Sequence, residues 1–573
     1  MTNVNGISIA VIGSGGAGAL TTGNMLLEAV SLAGLHGLLT RTVGPQIRGG
    51  EAAALLRIAE RPVAALGDRF DLLIAIDWLN ANRFDSEIQL GPDSLVIGDP
   101  EGGEPPASVR ASGARFVSMP LKEMAKAIPG ARPNMIVLGI AGKLLGCDED
   151  TVKALIEKQL ADKGSAAVAA SQASIHAGYV AAESLDLGIS LTPPTAQEEQ
   201  RWLISGNEAI GLGAIRGGIR FTAAYPITPA TEILEWLAPN LTRVGGVLLQ
   251  AEDELASINM IIGASFGGTP SLTATSGPGL SLMIEALGLA TASEVPVVVV
   301  DVMRGGPSTG IPTKSEQTDL NIAIYGFHGD APHLVLAPQS VADCIFTAQW
   351  ATYLAEAMQA PAIVLSDQFM GQTRTSIARP ADIAFIGQRR RAEAIAEPYK
   401  RYAFTADGVS AMAIPGMPGG QYTADGLTHT ERGIPTSRAE DHAAQLDKRR
   451  DKLDQFNYGD HWATIEGDSE LAVLTWGSLT GAAREGIERA NADGLAVRLI
   501  SPRLLYPIRP AQFAAALEGV KRVLIVEQSH GAQFHRYLRA HYELPENVRV
   551  LHRPGPLPIK PGEIHRALLE WRS

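Results

Sequence analysis

Tyr225-Pro-Ile-Thr-Pro229, Gln250-Ala-Glu-Asp253, Thr275-Ser-Gly-Pro-Gly279 and Met303-Arg-Gly-Gly-Pro-Ser-Thr-Gly-Ile-Pro-Thr313 are four short runs within residues 206–320. Each follows an apolar stretch that reads as a buried strand, over 220–224, 246–250, 271–274 and 295–302. The first three lead into helical patterns, so they read as strand-to-helix turns. Parallel strands set such turns along one edge of a sheet, where ligands bind. The spacing therefore predicts one crevice lined by all four runs.

Within that crevice the residue types suggest chemistry. Two prolines flank Thr228 and fix the direction of its hydroxyl; the alternative is a helix start with Pro229 at the first position and Thr228 as cap. Two glycines and a proline in Thr275-Ser-Gly-Pro-Gly279 let another molecule pack on the main chain. Arg304 offers a planar guanidinium suited to a two-point grip on a carboxylate. Gly305 and Gly306 leave room for a ligand beside it, where a structural salt bridge would not need them.

Toward the N-terminus, residues 7–12 form a β run that ends in Gly13-Ser-Gly-Gly-Ala-Gly18 and a helix through Leu32. Gly13, Gly15 and Gly18 fit a dinucleotide fingerprint. The second strand, 37–42, contains Arg41 and offers no acid for a ribose hydroxyl, so NAD is disfavoured. A turn that packs helix on sheet, or that binds another phosphate, is the better reading. Gly44-Pro-Gln-Ile-Arg-Gly-Gly50 sets Arg48 beside two glycines, either as an anion-binding nest or as a plain turn. Further β runs at 72–76, 94–97, 115–120 and 134–139, with helices at 149–162 and 164–184, complete a first domain over 1–190.

A second domain spans 191–385, beginning with a polar linker. A Gly/Pro-dense extended arm, charged over 438–452, spans 386–465, with a disordered linker as the alternative. A third α/β pattern fills 466–573. The expected class is α/β, with three Rossmann-like domains and mainly parallel sheets.

The 573 residues include 48 Lys+Arg against 61 Asp+Glu, a formal charge of −13. That balance disfavours nucleic acid. No apolar run reaches the ~20 residues of a membrane helix, and no secretory signal opens the chain, so a cytoplasmic protein without a membrane span is expected. Cys147 and Cys344 lie far apart, which leaves no disulfide framework, zinc site or iron–sulfur ligand set in this chain. His530 and His535 do not share a helix face and read as turn residues.

Glu252 at a strand end, with Thr275-Ser-Gly-Pro-Gly279 beginning 23 residues later, resembles the pyrimidine-binding domain of thiamine diphosphate enzymes. Tyr225-Pro-Ile-Thr-Pro229, Gln250-Ala-Glu-Asp-Glu254 and Arg304-Gly-Gly-Pro-Ser-Thr-Gly-Ile-Pro-Thr313 together resemble the α subunit of the 2-oxoacid:ferredoxin oxidoreductases, in the form whose N-terminal part is a fused γ domain. The resemblance covers nearly the whole chain. It implies Glu252 as the carboxyl that activates the cofactor, which must then be buried with its polar partner, and Glu254 as a first-turn acid that offsets the helix dipole. It places Tyr225, Pro226, Thr275, Ser276 and Gly277 around the cofactor. Thr228 and Arg304 would hold the 2-oxoacid carboxylate, with Thr313 in the substrate-side loop.

The same resemblance implies coenzyme A as acyl acceptor, with Gly13, Gly15, Gly18 and Arg48 as candidate anion contacts. It favours 2-oxoglutarate, then pyruvate or branched-chain 2-oxoacids, as substrate. The chain has no Gly-Asp-Gly run for the Mg²⁺ that holds a diphosphate. A β subunit is therefore expected to supply the diphosphate half, Mg²⁺ and a [4Fe-4S] cluster in an (αβ)₂ assembly, with ferredoxin accepting electrons. Two other classes are a carboligase without electron transfer and an inactive paralogue. The N-terminal domain argues against the first, and the joint presence of Glu252, Thr228 and Arg304 against the second.

Overall fold

The computed structural model describes residues 6–44, 50–193, 201–395 and 398–571. The chain divides into two compact units, Met1–Ile204 with Gln372–Arg379 and Lys560–Gly562, and Ser205–Gly371 with Pro380–Ile559 and Glu563–Ser573.

The first unit is built on strands β1 (Ile7–Gly13), β2 (His36–Val43), β3 (Ala52–Ala59), β4 (Leu72–Ala75), β5 (Leu95–Gly98), β6 (Arg115–Ser118) and β7 (Arg201–Ser205). With the later strand Arg374–Ala378, β14, they form an eight-stranded sheet in the order β6-β5-β4-β1-β3-β2-β14-β7. β1, β4, β5 and β6 are parallel neighbours. β3 runs antiparallel to both β1 and β2 and lies between them, so this half of the sheet is mixed. β1, β4 and β5 are buried along their whole length, as continuous apolar strands under helices are.

Two local expectations fail here. Residues 134–139, read as a strand, lie in the helix Pro133–Leu144, where every residue from Asn134 to Gly142 is buried. A helix apolar on all sides has no visible period, and only Pro133 at its start marks it. β3 has no counterpart in the sequence reading. Its Ala-rich run gives a weak β signal, and buried Arg57 interrupts it while donating to the Ala65 carbonyl at 3.0 Å.

The second unit contains two sheets. Its strands are β8 (Phe221–Ala224), β9 (Val247–Gln250), β10 (Ser271–Thr275), β11 (Val298–Met303), β12 (Leu334–Leu336), β13 (Ala362–Asp367), β15 (Ala463–Glu466), β16 (Leu471–Leu474), β17 (Arg498–Pro502), β18 (Leu504–Tyr506), β19 (Arg522–Glu527) and β20 (Asn547–His552). The orders are β18-β12-β13-β11-β10-β8-β9 and β15-β17-β16-β19-β20. Pairing is parallel except for the edge strands β18 and β15. β9 closes the larger sheet as a free edge, with Val247 and Leu249 exposed.

The arm departs from expectation. Its charged segment is the helix Ala439–Asp454, whose Lys448 and Lys452 are buried. Their ammonium groups lie 2.7 and 2.8 Å from the carboxylate of Glu294, which is fully buried. Arg401, also fully buried, donates to the Glu294 carbonyl at 2.8 Å. A charge run that reads as a solvated face is here an internal clamp, because Lys448 and Lys452 stand one turn apart on one face.

Candidate active site

β9, β8, β10 and β11 are adjacent and parallel, with Phe221 opposite Val247, Ser271 opposite Phe221 and Leu272 opposite Val298. Their C-terminal ends therefore lie along one edge, and all four turns leave from it. Tyr225 is exposed there, while Pro226 and Thr228 are half-buried. The following helix is Thr231–Thr242 with Ala230 at its cap position, so Thr228 is not the cap. Arg304, at the end of β11, donates from Nη1 to the Thr228 carbonyl at 2.8 Å. One guanidinium thus joins the turn after β8 to the turn after β11, across β10.

Thr275 and Ser276 are fully buried, and the Ser276 hydroxyl has no partner among the described residues. The helix Gly277–Ala292 begins directly after them. A Cβ at Gly277 would stand 2.7 Å from both carboxyl oxygens of Asp319. At Gly279 it would stand 2.0 Å from Thr275 Oγ1 and 2.8 Å from Glu254 Oε1. Neither position has room for a side chain.

Three carboxyls follow β9. Glu252 is exposed, Asp253 caps the helix Glu254–Phe266 by accepting from Ala256 N at 2.7 Å, and Glu254 is 7% exposed beside Thr275 and Gly279. The buried carboxyl at the turn is therefore Glu254, not Glu252. A signal for it exists in the sequence: Glu254 shares a helix face with Ser257, Ile258, Ile261, Ile262 and Ser265, all buried.

After Arg304 the chain forms a loop closed by Gly305 N donating to Lys314 O at 2.9 Å. Gly310 has φ +63°, and a Cβ there would strike the Gly305 carbonyl. Residues 306–312 are exposed, whereas Thr313, at φ 41°, is buried with its hydroxyl unpartnered among the described residues. Ser315 Oγ donates to Asp367 at 3.0 Å, and Gln317 Nε2 to the Trp476 carbonyl at 2.9 Å. The loop base is thereby tied to β13 and to the smaller sheet.

Two acids that the sequence reading did not single out lie beneath this loop. Asp301 of β11 is fully buried, and neither of its carboxyl oxygens has a hydrogen-bond partner among the described residues; burial and then the neighbouring Asp319 hold its carboxyl well above the usual range. Asp319 is pushed up to about 6, first by burial, while Asp301 and Arg304 pull it down and Glu316 pushes it up. Burial lowers the Arg304 guanidinium, and Asp319 opposes that shift.

In the first unit, Gly15 and Gly18 line a cavity of about 920 Å³ together with Lys122, Arg132 and Asn134. Gly13 ends β1 and does not line it, and Arg48 lies outside the described residues. Ser14 N and Oγ both donate to Asp77, Oγ at 2.8 Å, so this part of the glycine turn is already held by a carboxylate. The helix Ala19–Leu32 begins at Gly18 with no side-chain cap, leaving its first amides at the cavity.

Residues 8–181 match the family described as pyruvate ferredoxin/flavodoxin oxidoreductase. Residues 212–448 match pyruvate flavodoxin/ferredoxin oxidoreductase, thiamine diP-bdg. The 2-oxoglutarate synthase subunit KorA of Methanothermobacter marburgensis is 35% identical over 64% of this chain and 96% of its own length. The 2-oxoacid:ferredoxin oxidoreductase 2 subunit alpha of Aeropyrum pernix is 30% identical over 95% of this chain and 94% of its own. The solved 2-oxoglutarate:ferredoxin oxidoreductase from Magnetococcus marinus, with 2-oxoglutarate, coenzyme A and succinyl-CoA bound, covers 99% of each chain at 36% identity and TM-score 0.91. With relatives matched along nearly their full length, and the pyruvate ferredoxin/flavodoxin oxidoreductase match preceding the thiamine diphosphate-binding one, the chain belongs to the 2-oxoacid:ferredoxin oxidoreductase family as an α subunit.

Proposed function

We propose that this α subunit oxidatively decarboxylates 2-oxoglutarate to succinyl-CoA and passes the electrons through a β subunit to ferredoxin. The observation that carries the reading is the Arg304 guanidinium on the Thr228 carbonyl, beside a turn with Glu254 buried and the Ser276 hydroxyl unpartnered among the described residues. An arginine there suits a substrate carboxylate, and Thr228 and Thr313 supply hydroxyls near it. The 2-oxoglutarate assignment is supported by the relatives and the solved structure, which are named for that acid.

The turn also fits the pyrimidine half of thiamine diphosphate. Gly277 and Gly279 keep the helix start bare, Ser276 brings a buried hydroxyl without a partner among the described residues, and Glu254 brings a buried carboxyl packed against Thr275 and Gly279. Glu254 rather than Glu252, which stands open at the end of β9, is assigned the proton-moving role, because a carboxyl hydrogen-bonded to a ring nitrogen has to be shielded from water. Tyr225 and Pro226 border the same edge. When bound, the cofactor supplies a carbon nucleophile for the keto carbon and an electron sink for the bond that releases CO₂. The chain's own part is to hold the carboxylate at Arg304, move a proton at Glu254, and exclude water beneath the 304–314 loop.

Coenzyme A is assigned to the cavity of the first unit, with Arg132, Lys122 and the open amides after Gly18 facing its phosphates. Mg²⁺, the diphosphate contacts and a [4Fe-4S] cluster are assigned to the β subunit. The exposure of Tyr225, Glu252, Val247 and Leu255 around the site supports a covering partner.

The test is anaerobic, coenzyme A-dependent reduction of ferredoxin by the chain co-expressed with its β partner, comparing 2-oxoglutarate, pyruvate and 2-oxoisovalerate. Preference for 2-oxoglutarate supports the reading. Preference for another acid overturns the substrate, and no reduction with cofactor and cluster in place overturns the activity.

A further inference from the structure

β16, β19 and β20 run parallel, so their C-terminal ends stand side by side. Such an edge is where an α/β sheet ordinarily holds a ligand. Here it holds the chain's own segment 315–321. Gln317, 1% exposed, donates from its main-chain N to the carbonyl of Gln528, just past β19, at 2.8 Å. Gln528 N returns a bond to Gln317 Oε1 at 2.9 Å, and Gln317 Nε2 donates to the carbonyl of Trp476, past the end of β16, at 2.9 Å. One buried side-chain amide therefore bridges two neighbouring strands, as a peptide group of a bound chain would. Gln533 makes a second bridge from the start of the helix Gln533–His541. Its Nε2 donates to the Thr318 carbonyl at 2.8 Å, and its Oε1 accepts from Asn321 N at 3.0 Å.

Two glycines make room for the segment. A Cβ at Gly477 would stand 2.7 Å from Gln317 Nε2, and one at Gly555 would stand 2.6 Å from the Ser315 carbonyl. Gly555 N donates to Glu316 Oε1 at 2.9 Å. The same oxygen lies 2.9 Å from where a Cβ on Gly305 would be, so Glu316 fills the space between the smaller sheet and the residue after Arg304. Asp367, opposite Met303 at the end of β13, accepts from the hydroxyls of Ser315, at 3.0 Å, and Ser478. The loop thus leaves the larger sheet at Met303, returns beside Met303's own strand partner, and rests its base on the other sheet.

Between those anchors, Gly305, Gly306 and Gly310 leave the main chain many conformations. The place of Thr313 is therefore set from outside the loop, by what holds the residues that follow it. Resting on the reading that Arg304 and Thr313 meet the 2-oxoacid, we propose that Gln317 and Gln533 are positioning residues: their side-chain amides hold the base of the substrate loop on the edge of the smaller sheet, and so set where Thr313 and Arg304 stand. The smaller sheet then takes part in substrate binding without touching the substrate.

The experiment uses the complex with its β partner and steady-state ferredoxin reduction. Gln317→Met keeps the side-chain volume and removes both amide bonds. kcat/KM for the 2-oxoacid should fall by about 10- to 100-fold, the loss that a displacement of about 1 Å produces. Most of it should appear in KM for the acid, with KM for coenzyme A unchanged. Gln533→Met should act in the same direction and more weakly, and it carries the test where Gln317→Met does not fold. Arg498→Met loses bonds to the Ala516 and Glu518 carbonyls, which weakens the smaller sheet away from the loop, and should leave both KM values alone. Arg304→Ala combined with Gln317→Met should lose less than the product of the single losses, because the amide acts through Arg304. Unchanged 2-oxoacid KM in Gln317→Met and Gln533→Met, where Arg304→Ala raises it, overturns the proposal alone. So does an equal rise in Arg498→Met at a matched urea midpoint, since the tie would then serve stability only, and so do losses that simply multiply. A 2-oxoacid KM unmoved by Arg304→Ala overturns the underlying reading and the proposal with it.

Discussion

Glu254 and Gly279 approach so closely that a Cβ on the glycine would stand 2.8 Å from the glutamate's Oε1. The helix after β9 and the helix after β10 are therefore held at a fixed distance by an absent side chain. Gly279→Ala should destabilise the protein by about 1–3 kcal/mol through overpacking, since Thr275 crowds the same point. Urea midpoints would show the loss, and a variant of unchanged midpoint would mean that the turn has slack.

If Glu254 is the proton-moving carboxyl, Glu254→Gln should cut turnover by about 10²–10⁴-fold and leave the fold intact. Glu252→Gln, altering an exposed side chain, should stay within a few-fold of the unaltered enzyme. Steady-state rates of the two variants with the β subunit decide the matter, and the reverse pattern would restore Glu252.

Arg304→Ala removes a charge-assisted hydrogen bond worth about 1.5–3 kcal/mol. That corresponds to a loss of roughly 10- to 150-fold in kcat/KM for the 2-oxoacid. KM for coenzyme A should not change. Equal damage to both substrates would point to a collapsed loop rather than a lost contact.

Arg132→Ala should act in the opposite sense. With the cavity in the first unit holding coenzyme A, KM for coenzyme A should rise by about tenfold, as for loss of one phosphate contact of 1–2 kcal/mol. The 2-oxoacid KM should hold. Unchanged coenzyme A kinetics would move that ligand elsewhere.

Glu294 is pressed below the usual glutamate range: burial pushes its pKa up, but Lys452, Lys448 and Arg401 together win. Lys452 is held down to about 8, by burial first, with Glu294 opposing. A depressed carboxyl contributes stability above its unfolded pKa, and loses it as the pH falls below the ordinary glutamate range. Glu294→Gln should cost about 3–5 kcal/mol at neutral pH, because it leaves two buried ammonium groups unmatched. Its stability should also fall less steeply in acid than that of the unaltered protein. Denaturant midpoints from pH 4 to 8 test both points.

The sequence made the sheet edge legible because each of its four turns follows a short apolar run and three of them carry glycine or proline. Arg304 and Thr228 were readable for the same reason, since side chains at strand ends have few places to go. Glu254 was hidden by its neighbour: three acids in a row, 252–254, look alike until the helix register separates the buried one from the cap and the exposed one. Asp301 and Asp319 were invisible in another way. They are 18 residues apart, and nothing in a linear reading says that one lies under the other. The helix Pro133–Leu144 and the clamp around Glu294 share that cause, because full burial erases the periodicity and charge logic on which sequence reading depends.

β9 ends the larger sheet with its hydrogen-bonding edge uncovered and Val247 and Leu249 exposed. Such an edge is a template for any other strand with free amides and carbonyls. If the proposed β subunit covers this edge, a cell that makes this chain ahead of it carries an adhesive intermediate, and balanced synthesis of the two chains becomes a condition of solubility. In the laboratory, the chain produced by itself should sediment as large species that co-production with its partner suppresses.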